Sequence, residues 1–257
     1  MRPPAPEPSH GGFSTEQQAR EAIVETMRSL SQHDLNRGKS GNASLRWHRG
    51  AADGLLLTPS GLAYERMTAD DLVWVPLEQP DPAPEPEDEL LPPPARFDGA
   101  YLPSSEWRIH LDLHRRRPDA RAVLHLHSPW ATTLACLPRV QSEGIPAFHY
   151  MVAVAGGNDL RCAAYARFGS AKLSELTLGA LDGRRACLMA HHGMIAIGAD
   201  LRPCLDLAIE VEVLCRLYGQ ALSIGEPGRL DDAEMAQVLA QFAVYGRAQA
   251  ARKTPAR

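Results

Sequence analysis

The spacing of hydrophobic residues changes repeatedly between helical and strand-like along the chain. Apolar residues three and four positions apart predict a first helix over residues 15–36, ending near Gly38. A later helix is predicted over residues 104–117, because Pro118 cannot continue it. Short apolar runs predict four strands: ASLRW (43–47), GLLLT (54–58), DLVWVPL (71–77) and RAVLHLH (121–127).

The second half of the chain continues this interleaving. Pro129 suits the first turn of a helix that carries WATTLACL. The remaining segments are predicted as an extended stretch (149–157), a helix (170–181), two strands with a turn at Gly193 (185–198), a long helix (201–222) and a last helix (230–246). Several strand pairs are joined by short turns, which favours an antiparallel or mixed sheet with helices packed on it.

Proline-rich segments set the predicted boundaries. Residues 1–14 are predicted to be a disordered tail, and residues 248–257 a flexible basic tail. Residues 15–247 are predicted to form one domain, which suits a chain of 257 residues. Within it, residues 78–99 are rich in proline and acidic side chains and are predicted to be an exposed loop insertion.

Composition narrows the functional class. The formal net charge is -4 and basic residues are scattered, which argues against nucleic-acid binding. No apolar run approaches the ~18 residues of a membrane span, and the N-terminus lacks the apolar core of a signal peptide. The cysteine number is odd, five, with no C-x-x-C pair, which is typical of a reducing cytoplasm. We therefore expect a cytoplasmic protein.

Two histidines one residue apart stand out in the run VLHLHS. Alternate side chains of a strand share a face, so His125 and His127 would point together, with Leu126 opposite. Two imidazoles on one rigid face are a good start for a metal site. The alternative is a core histidine beside a surface neighbour.

Two further groups of histidines are candidate metal ligands. The AHHG stretch offers a third imidazole, but strand parity cannot choose between His191 and His192. Glu106, His110 and His114 are four residues apart on one predicted helix face. The residues between them do not follow the H-E-x-x-H pattern, so we interpret His110 and His114 as packing or surface residues.

Three loops of small residues are candidate anion sites. The PSSE stretch (103–106) begins a predicted helix, where hydroxyls and free N–H groups suit either helix capping or phosphate binding. The loops KSGNAS (39–44) and LTPSG (57–61) could present backbone N–H groups to an anion. None is a Walker loop, and each alone could be an ordinary turn or cap.

Taken in order, the motifs resemble a known family. The series G-N-x-S, T-P-S-G, P-S-S-E, H-x-H and H-H-G resembles the class II aldolase/adducin family, and most of all its L-fuculose-1-phosphate aldolase branch. The stretches at residues 146–170 and 190–218 strengthen the likeness, which covers residues 15–247. The resemblance implies a three-layer α/β/α fold with a central, mainly antiparallel sheet flanked by helices.

The resemblance also assigns a metal site and a base. It implies that His125, His127 and His192 bind Zn²⁺, with another divalent cation as an alternative. Glu106 is implied to ligate the metal at rest and to act as the catalytic base. The only candidates for the rival Schiff-base chemistry are lysines outside apolar strands, so we disfavour it. These lysines are Lys39, Lys172 and Lys253.

Further residues are implied around the substrate. Tyr150 is implied to reach the site of a neighbouring subunit of a homotetramer, and Tyr245 to contribute from the C-terminus. The implied phosphate-binding residues are Gly41, Asn42, Ser60, Gly61, Ser104 and Ser105. Ser60 replaces a threonine of the family and keeps its hydroxyl. The 78–99 insertion is longer than the family's turn, so it could cover the phosphate pocket or only decorate the surface.

The implied activity is reversible cleavage of a ketose 1-phosphate to dihydroxyacetone phosphate and an aldehyde. L-Fuculose 1-phosphate or a related deoxy-ketose phosphate is the expected substrate. Alternatives within the family are a sugar-phosphate 4-epimerase, a methylthioribulose-1-phosphate dehydratase and a phosphotetronate decarboxylase. A non-catalytic, adducin-like interaction protein is a further alternative. It predicts lost metal ligands, whereas this chain keeps them all.

Overall fold

A computed structural model describes residues 12–36, 38–80 and 88–252, with side chains up to residue 244. The helices are α1 Glu16–Ser29, α2 Trp107–Arg116, α3 Pro129–Ala135, α4 Pro138–Glu143, α5 Ala171–Ala180, α6 Leu201–Ile224 and α7 Asp232–Arg252. The strands are β1 Asn42–Arg49, β2 Ala52–Leu57, β3 Val73–Pro76, β4 Ala122–Leu126, β5 Ile145–Pro146, β6 Asp159–Leu160, β7 Cys162–Ala163, β8 Ala186–Met189 and β9 Gly193–Gly198.

Parts of the predicted tails and insertion lie outside the described residues. These parts are residues 1–11 of the N-terminal tail, 81–87 of the insertion and 253–257 of the C-terminal tail. The last helix, predicted to end near residue 246, continues to Arg252. No helix among the described residues combines the length and apolar character needed to cross a membrane.

A mixed sheet forms the middle layer. Its strand order is β3-β2-β1-β4-β9-β8-β7, and every pair is antiparallel except β7 and β8. Along β4, Leu124 and Leu126 pack with residues of α1 and α6, whereas Val123 packs with α2 and α5. The period of two therefore places helices on both faces. This three-layer arrangement confirms the predicted fold class.

The first helix is shorter than predicted. It ends at Ser29, and the chain then turns through residues 31–34, where Asp34 has a φ of 53°. The polar residues after Leu30 form turns instead of further helix, and the left-handed Asp34 prevents a right-handed helix from continuing beyond them. This early end returns the chain to the sheet, where Asn36 is buried.

The stretch HYMVAVAGG is not extended, so that prediction is wrong. Tyr150–Ala155 forms a 3₁₀ helix, whose start is capped by the Met151 N–H donating to His149 Nδ1 at 3.2 Å. Gly156, with a φ of 101°, ends it. The alternation of small and larger apolar residues imitates a strand, but local capping and the left-handed glycine favour a tight helix.

A buried polar network joins β1 to α2. His110 and His114 are both fully buried, which confirms packing and excludes the surface alternative. Ser44 Oγ lies 2.7 Å from His110 Nδ1 and 2.8 Å from His114 Nε2. Burial, with the neighbouring His114 as a further cause for His110, lowers the pKa of each imidazole to about 3. Both imidazoles are therefore neutral at neutral pH.

These neutral imidazoles predict acid sensitivity. Below pH 6.5 the unfolded chain protonates both, whereas the folded chain does so only near pH 3. Stability present above pH 6.5 is therefore lost as the pH falls, by about 1.4 kcal/mol per pH unit for each histidine. In His114→Gln, which keeps an N–H for Ser44, the slope between about pH 4 and pH 6 should be shallower by that amount.

Urea denaturation of the metal-free protein across this pH range measures the slope. Parallel stability curves for wild type and His114→Gln would contradict the assignment of a buried, neutral His114.

Candidate metal centre

Three imidazoles and one carboxylate converge beside the central sheet. Donor atoms of Glu106, His125, His127 and His192 all lie within 4.8 Å of one another. The Glu106 carboxylate places Oε2 3.1 Å from His125 Nε2 and Oε1 3.2 Å from His192 Nε2. His125 Nε2 is 3.0 Å from His127 Nε2. The structure thus brings together the four residues proposed from the sequence as ligands.

Antiparallel pairing of β4 with β9 places the three histidines together. His125 lies within β4, and His127 follows directly after its end. The register pairs Leu126 with Met194, so the turn before β9 lies beside the end of β4. A Cβ on Gly193 would lie 2.2 Å from the Leu126 carbonyl oxygen, so only glycine permits this approach.

The structure resolves the choice between the two adjacent histidines of AHHG. His191 has a φ of 55°, and its Nε2 lies 2.9 Å from Gln141 Nε2. Its ring meets the edge of Tyr165 at a centroid distance of 6.0 Å. His192 instead joins the ligand cluster. Parity fails here because a left-handed turn, and not a strand, carries both residues.

Hydrogen bonding fixes the tautomer of the most buried ligand. The Nδ1–H of His125 donates to the Met194 carbonyl oxygen at 3.0 Å. The lone pair of Nε2 is then directed into the cluster. Such a backbone acceptor behind the ring is common at histidines that bind metals, because it fixes both ring orientation and tautomer.

Within the cluster, burial and the neighbouring charges shift the pKa values of the ligands in opposite directions. Burial alone would raise the Glu106 pKa, but His125 and His192 outweigh it and hold that pKa well below its usual range. Burial would lower the His125 pKa, yet the Glu106 carboxylate raises it. His127 lacks this close partner, and burial with its two imidazole neighbours lowers its pKa to about 4. Glu106 is therefore an anion at neutral pH.

The donor set fits a divalent cation. Three imidazole nitrogens with a carboxylate oxygen are ligands that Zn²⁺ prefers, and three histidines leave a further position for substrate. Glu106 Oε1 is buried and accepts no hydrogen bond from the described residues, despite its ion-pair contact with His192. A cation would satisfy this oxygen, since unsatisfied buried acceptors are costly.

Backbone hydrogen bonds join the small-residue loops. The N–H of Ser60 donates to the Leu102 carbonyl at 3.0 Å, and the N–H of Ser104 donates to Thr58 at 3.0 Å. The hydroxyl oxygen of Ser104 accepts from the Asn42 side-chain amide at 2.9 Å and from the Glu106 N–H at 3.3 Å. With its oxygen accepting two donors, this hydroxyl can direct its own hydrogen to a ligand.

One cleft connects these loops to the histidines. Its volume is about 350 Å³. It is lined by Lys39, Ser40, Gly41, Asn42, Pro59, Ser60, Gly61, Ser104, Ser105, Glu106, His127, Phe168 and His192. All six residues proposed for phosphate binding are in this set, whereas His125 is buried behind it. A larger groove of about 570 Å³ along α1 contains none of them.

Of the two tyrosines proposed from the resemblance, Tyr150 is not part of this lining. Tyr150 is 50% exposed, and its ring stacks on Phe242 with a centroid distance of 6.4 Å. The side chain of Tyr245 lies outside the described residues. Within this chain, the structure therefore does not bring Tyr150 into the cleft.

Sequence reasoning missed the contribution of Asn36. This residue is 2% exposed, and its Oδ1 accepts the His127 N–H at 3.2 Å. Its Nδ2 donates to Tyr64 Oη at 2.7 Å and to the Ser40 carbonyl. Asn36 thus joins the loop before Gly41 to the end of β4. Its position at the end of a predicted helix gave no signal of this role.

The inserted segment packs beside the cleft. The N–H of Leu91 donates to the Gly169 carbonyl at 3.1 Å, and the N–H of Arg167 donates to Asp88 at 2.8 Å. Phe168, between these two contacts, lines the cleft. The described end of the 78–99 insertion therefore supports a wall of the cleft and is more than surface decoration.

Comparisons with known proteins agree with this geometry. Residues 21–219 match the sequence model of the Class II Aldolase and Adducin N-terminal domain. The chain is 45% identical over 227 residues to a 5-methylthioribulose-1-phosphate/5-deoxyribulose-1-phosphate aldolase of Rhodospirillum rubrum, covering 88% of this chain and 92% of that protein. It is 40% identical over 225 residues to the L-fuculose phosphate aldolase of Escherichia coli K12, covering 87% and 94%.

A solved structure of an L-fuculose 1-phosphate aldolase has the same fold. It superposes with a TM-score of 0.75 at 32% identity, covering 92% of this chain and all of that one. The matched region contains every residue of the cleft and of the histidine cluster. The chain therefore belongs to the class II aldolase/adducin family and is an enzyme of its aldolase class.

Proposed function

We propose that the protein is a zinc-dependent aldolase that reversibly cleaves a deoxy-ketose 1-phosphate to dihydroxyacetone phosphate and an aldehyde. This proposal rests on one observation. A single cleft of about 350 Å³ is lined both by residues of the histidine cluster and by the small-residue loops. A phosphate and a reacting carbonyl of one small sugar would fit such an arrangement.

His125, His127 and His192 are the proposed protein ligands, with Glu106 as a fourth ligand in the absence of substrate. Bound there, Zn²⁺ would supply the positive charge that stabilises negative charge developing on the substrate as the carbon–carbon bond breaks. The backbone acceptor behind His125 and the Asn36 contact to His127 would keep the imidazoles oriented.

The proposed phosphate end of the cleft combines backbone and hydroxyl donors. Gly41 has a φ of 83° and Gly61 a φ of 70°, conformations that expose backbone N–H groups. The hydroxyl of Ser104 is already oriented by its two donors. Lys39 lines the same cleft and would add positive charge for the phosphate. This role differs from the Schiff-base chemistry that we disfavoured from the sequence.

Glu106 is the proposed base in the condensation direction. Its position next to two imidazoles lowers the pKa of Glu106, so its carboxylate is a weak base there. When substrate takes its place beside the imidazoles, the contacts that lower its pKa would be lost, whereas its burial, which opposes them, would remain. Glu106 would then take the proton from C3 of dihydroxyacetone phosphate and return it during cleavage.

The proposed acid at the aldehyde oxygen is Tyr150 of a neighbouring subunit. Its half-exposed ring on a rigid 3₁₀ helix suits presentation to a second copy. This role requires the proposed homotetramer, with sites at subunit interfaces. Tyr245 is proposed to contribute from the C-terminal helix, and the cytoplasm remains the proposed compartment.

The finer substrate proposal is a 5-deoxyribulose 1-phosphate, with or without a 5-methylthio group. It is supported by the 45% identity to an aldolase named for these substrates, against 40% for an L-fuculose phosphate aldolase. Breaking the C3–C4 bond of such a pentulose gives dihydroxyacetone phosphate and an aldehyde built on C4 and C5, which keeps the methylthio group where one is present. L-Fuculose 1-phosphate, which gives a three-carbon hydroxyaldehyde, is the alternative.

A substrate panel tests this function. Zinc-loaded protein should cleave 5-deoxyribulose 1-phosphate and 5-methylthioribulose 1-phosphate with a higher kcat/KM than L-fuculose 1-phosphate. Released dihydroxyacetone phosphate is measured by coupled reduction with NADH. A chelator should abolish cleavage and added Zn²⁺ should restore it, because the proposed mechanism requires the cation.

Other outcomes point to the other members of the family. Inversion at C4 without free dihydroxyacetone phosphate would indicate an epimerase, and loss of water would indicate a dehydratase. Release of carbon dioxide from a phosphotetronate would indicate a decarboxylase. No reaction and no bound metal would favour the interaction-protein alternative. Each of these results would contradict the aldolase proposal.

Replacing the proposed base gives a sharper prediction. Glu106→Gln should lower kcat for cleavage by about 100-fold or more, because general base catalysis typically contributes that much. Glu175→Gln, at an exposed site on α5, is the matched control and should behave like wild type. Circular dichroism should show both variants folded. An unchanged kcat in Glu106→Gln would exclude its role as base.

A further inference from the structure

A chain of hydrogen bonds leads from the Glu106 carboxylate into the protein interior. The Asn42 side-chain Nδ2 lies 3.0 Å from Glu106 Oε2 and 2.9 Å from Ser104 Oγ. On its other side, Asn42 Oδ1 is in short contact with His110 Nε2. His110 continues through Ser44 Oγ to His114. None of these histidines belongs to the metal cluster.

The groups that can only donate or only accept determine which atom is the donor in each hydrogen bond of this chain. Asn42 Oδ1 can only accept, so His110 carries its proton on Nε2, and its bare Nδ1 accepts from the Ser44 hydroxyl. The Ser44 oxygen then accepts from the Nε2–H of His114. Since burial keeps both imidazoles neutral, neither has a second proton to donate. All donors therefore point toward Glu106.

The orientation of the Asn42 side-chain amide decides whether this chain of hydrogen bonds can form. Rotating it by half a turn would set its oxygen against Glu106 Oε2, so that two acceptors would face each other. The same rotation would set its NH₂ group against the Nε2–H of His110, so that two donors would face each other. Asn42 is 5% exposed, so solvent cannot relieve either conflict. The Glu106 carboxylate, which can only accept, thus fixes the orientation of the amide, and the Nε2–H of His110 holds the amide in that orientation.

We propose that His110 is a positioning residue of the catalytic site, which orients the Asn42 amide and through it holds the Glu106 carboxylate in place. It acts without touching substrate or metal. The inference rests on the proposed function in so far as Glu106 is both ligand and base. Residues that orient metal ligands from behind typically contribute 10- to 100-fold to metal affinity or activity, which sets the expected effect at about that size.

A pair of substitutions separates this role from simple packing. Glutamine can place an N–H near the position of Nε2 of histidine, whereas asparagine reaches only to Nδ1. His110→Asn should therefore lose the donor to Asn42, and His110→Gln should keep it. We expect His110→Asn to lower both Zn²⁺ affinity and kcat by about 10- to 100-fold. His110→Gln should stay within about threefold of wild type in both.

His114→Asn provides the matched control. It makes the same change one helical turn further on, in an equally buried imidazole. Ser44 can still donate to His110 Nδ1, so Asn42 keeps its orientation. Zn²⁺ affinity, measured by competition with a chromogenic chelator, and kcat should both stay near wild type. Thermal unfolding of the metal-free variants reports any general loss of stability separately.

Three results would overturn the proposal: His110→Asn behaving like wild type, His110→Gln being as impaired as His110→Asn, or His114→Asn being as impaired as His110→Asn. Nitrogen-15 chemical shifts of wild-type protein labelled on histidine give a test that needs no stable His110→Asn variant. The His110 signal, assigned by its loss in His110→Gln, should show a protonated Nε2 and a bare Nδ1. The opposite tautomer would contradict the proposal.

Failure of the proposed function is distinguishable from failure of this inference. If wild type binds Zn²⁺ but cleaves no ketose phosphate, the reaction is wrong, yet the difference in Zn²⁺ affinity between His110→Asn and His110→Gln still tests the positioning role. If wild type cleaves the substrate and this pair does not differ, only the positioning role is wrong.

Discussion

The burial of the Glu106 carboxylate among three imidazoles is the constraint on which the rest of the site depends. A buried anion is tolerated only when charges and hydrogen-bond donors compensate its desolvation. Here His125 and His192 approach it from the sheet, and Asn42 approaches it from β1. Each of these partners needs its own support, and that support accounts for much of the surrounding structure.

The support extends outward through the fold. On the sheet side, antiparallel pairing of β4 with β9 and a glycine at position 193 let the histidines approach one another. On the helix side, His110 and Ser44 join α2 to β1 behind the carboxylate. Asn36 closes the third side by joining the loop before Gly41 to His127. The histidine end of the cleft is therefore supported by hydrogen bonds or close packing on three sides.

Sequence patterns predicted much of this arrangement because its rules are local. Strand periodicity placed His125 in β4, with His127 beside it, and prolines marked the end of α2 and the start of α3. The patterns failed where capping and left-handed residues, which the spacing of hydrophobic residues does not record, decide the conformation. The stretch at Tyr150 imitates a strand but is capped as a 3₁₀ helix, and the polar residues after α1 form turns that include a left-handed Asp34.

Sequence patterns likewise predicted some residues of the site and missed others. The ordered motifs indicated the ligands and the small-residue loops, because each motif is contiguous in the chain. The roles of Asn36 and His110 come from contacts between residues 91 and 68 positions apart, which no local pattern records. The proposed role of Tyr150 depends on a second subunit, so it lies beyond what one chain can specify.

Proton exchange in heavy water tests the central claim most directly. Zinc-loaded protein is incubated with dihydroxyacetone phosphate alone, and the C3 protons are followed by nuclear magnetic resonance. If Glu106 removes a carbon-bound proton while the cation stabilises the resulting charge, one C3 proton should exchange without any aldehyde present. Absence of exchange, with Zn²⁺ confirmed bound, would contradict the aldolase account.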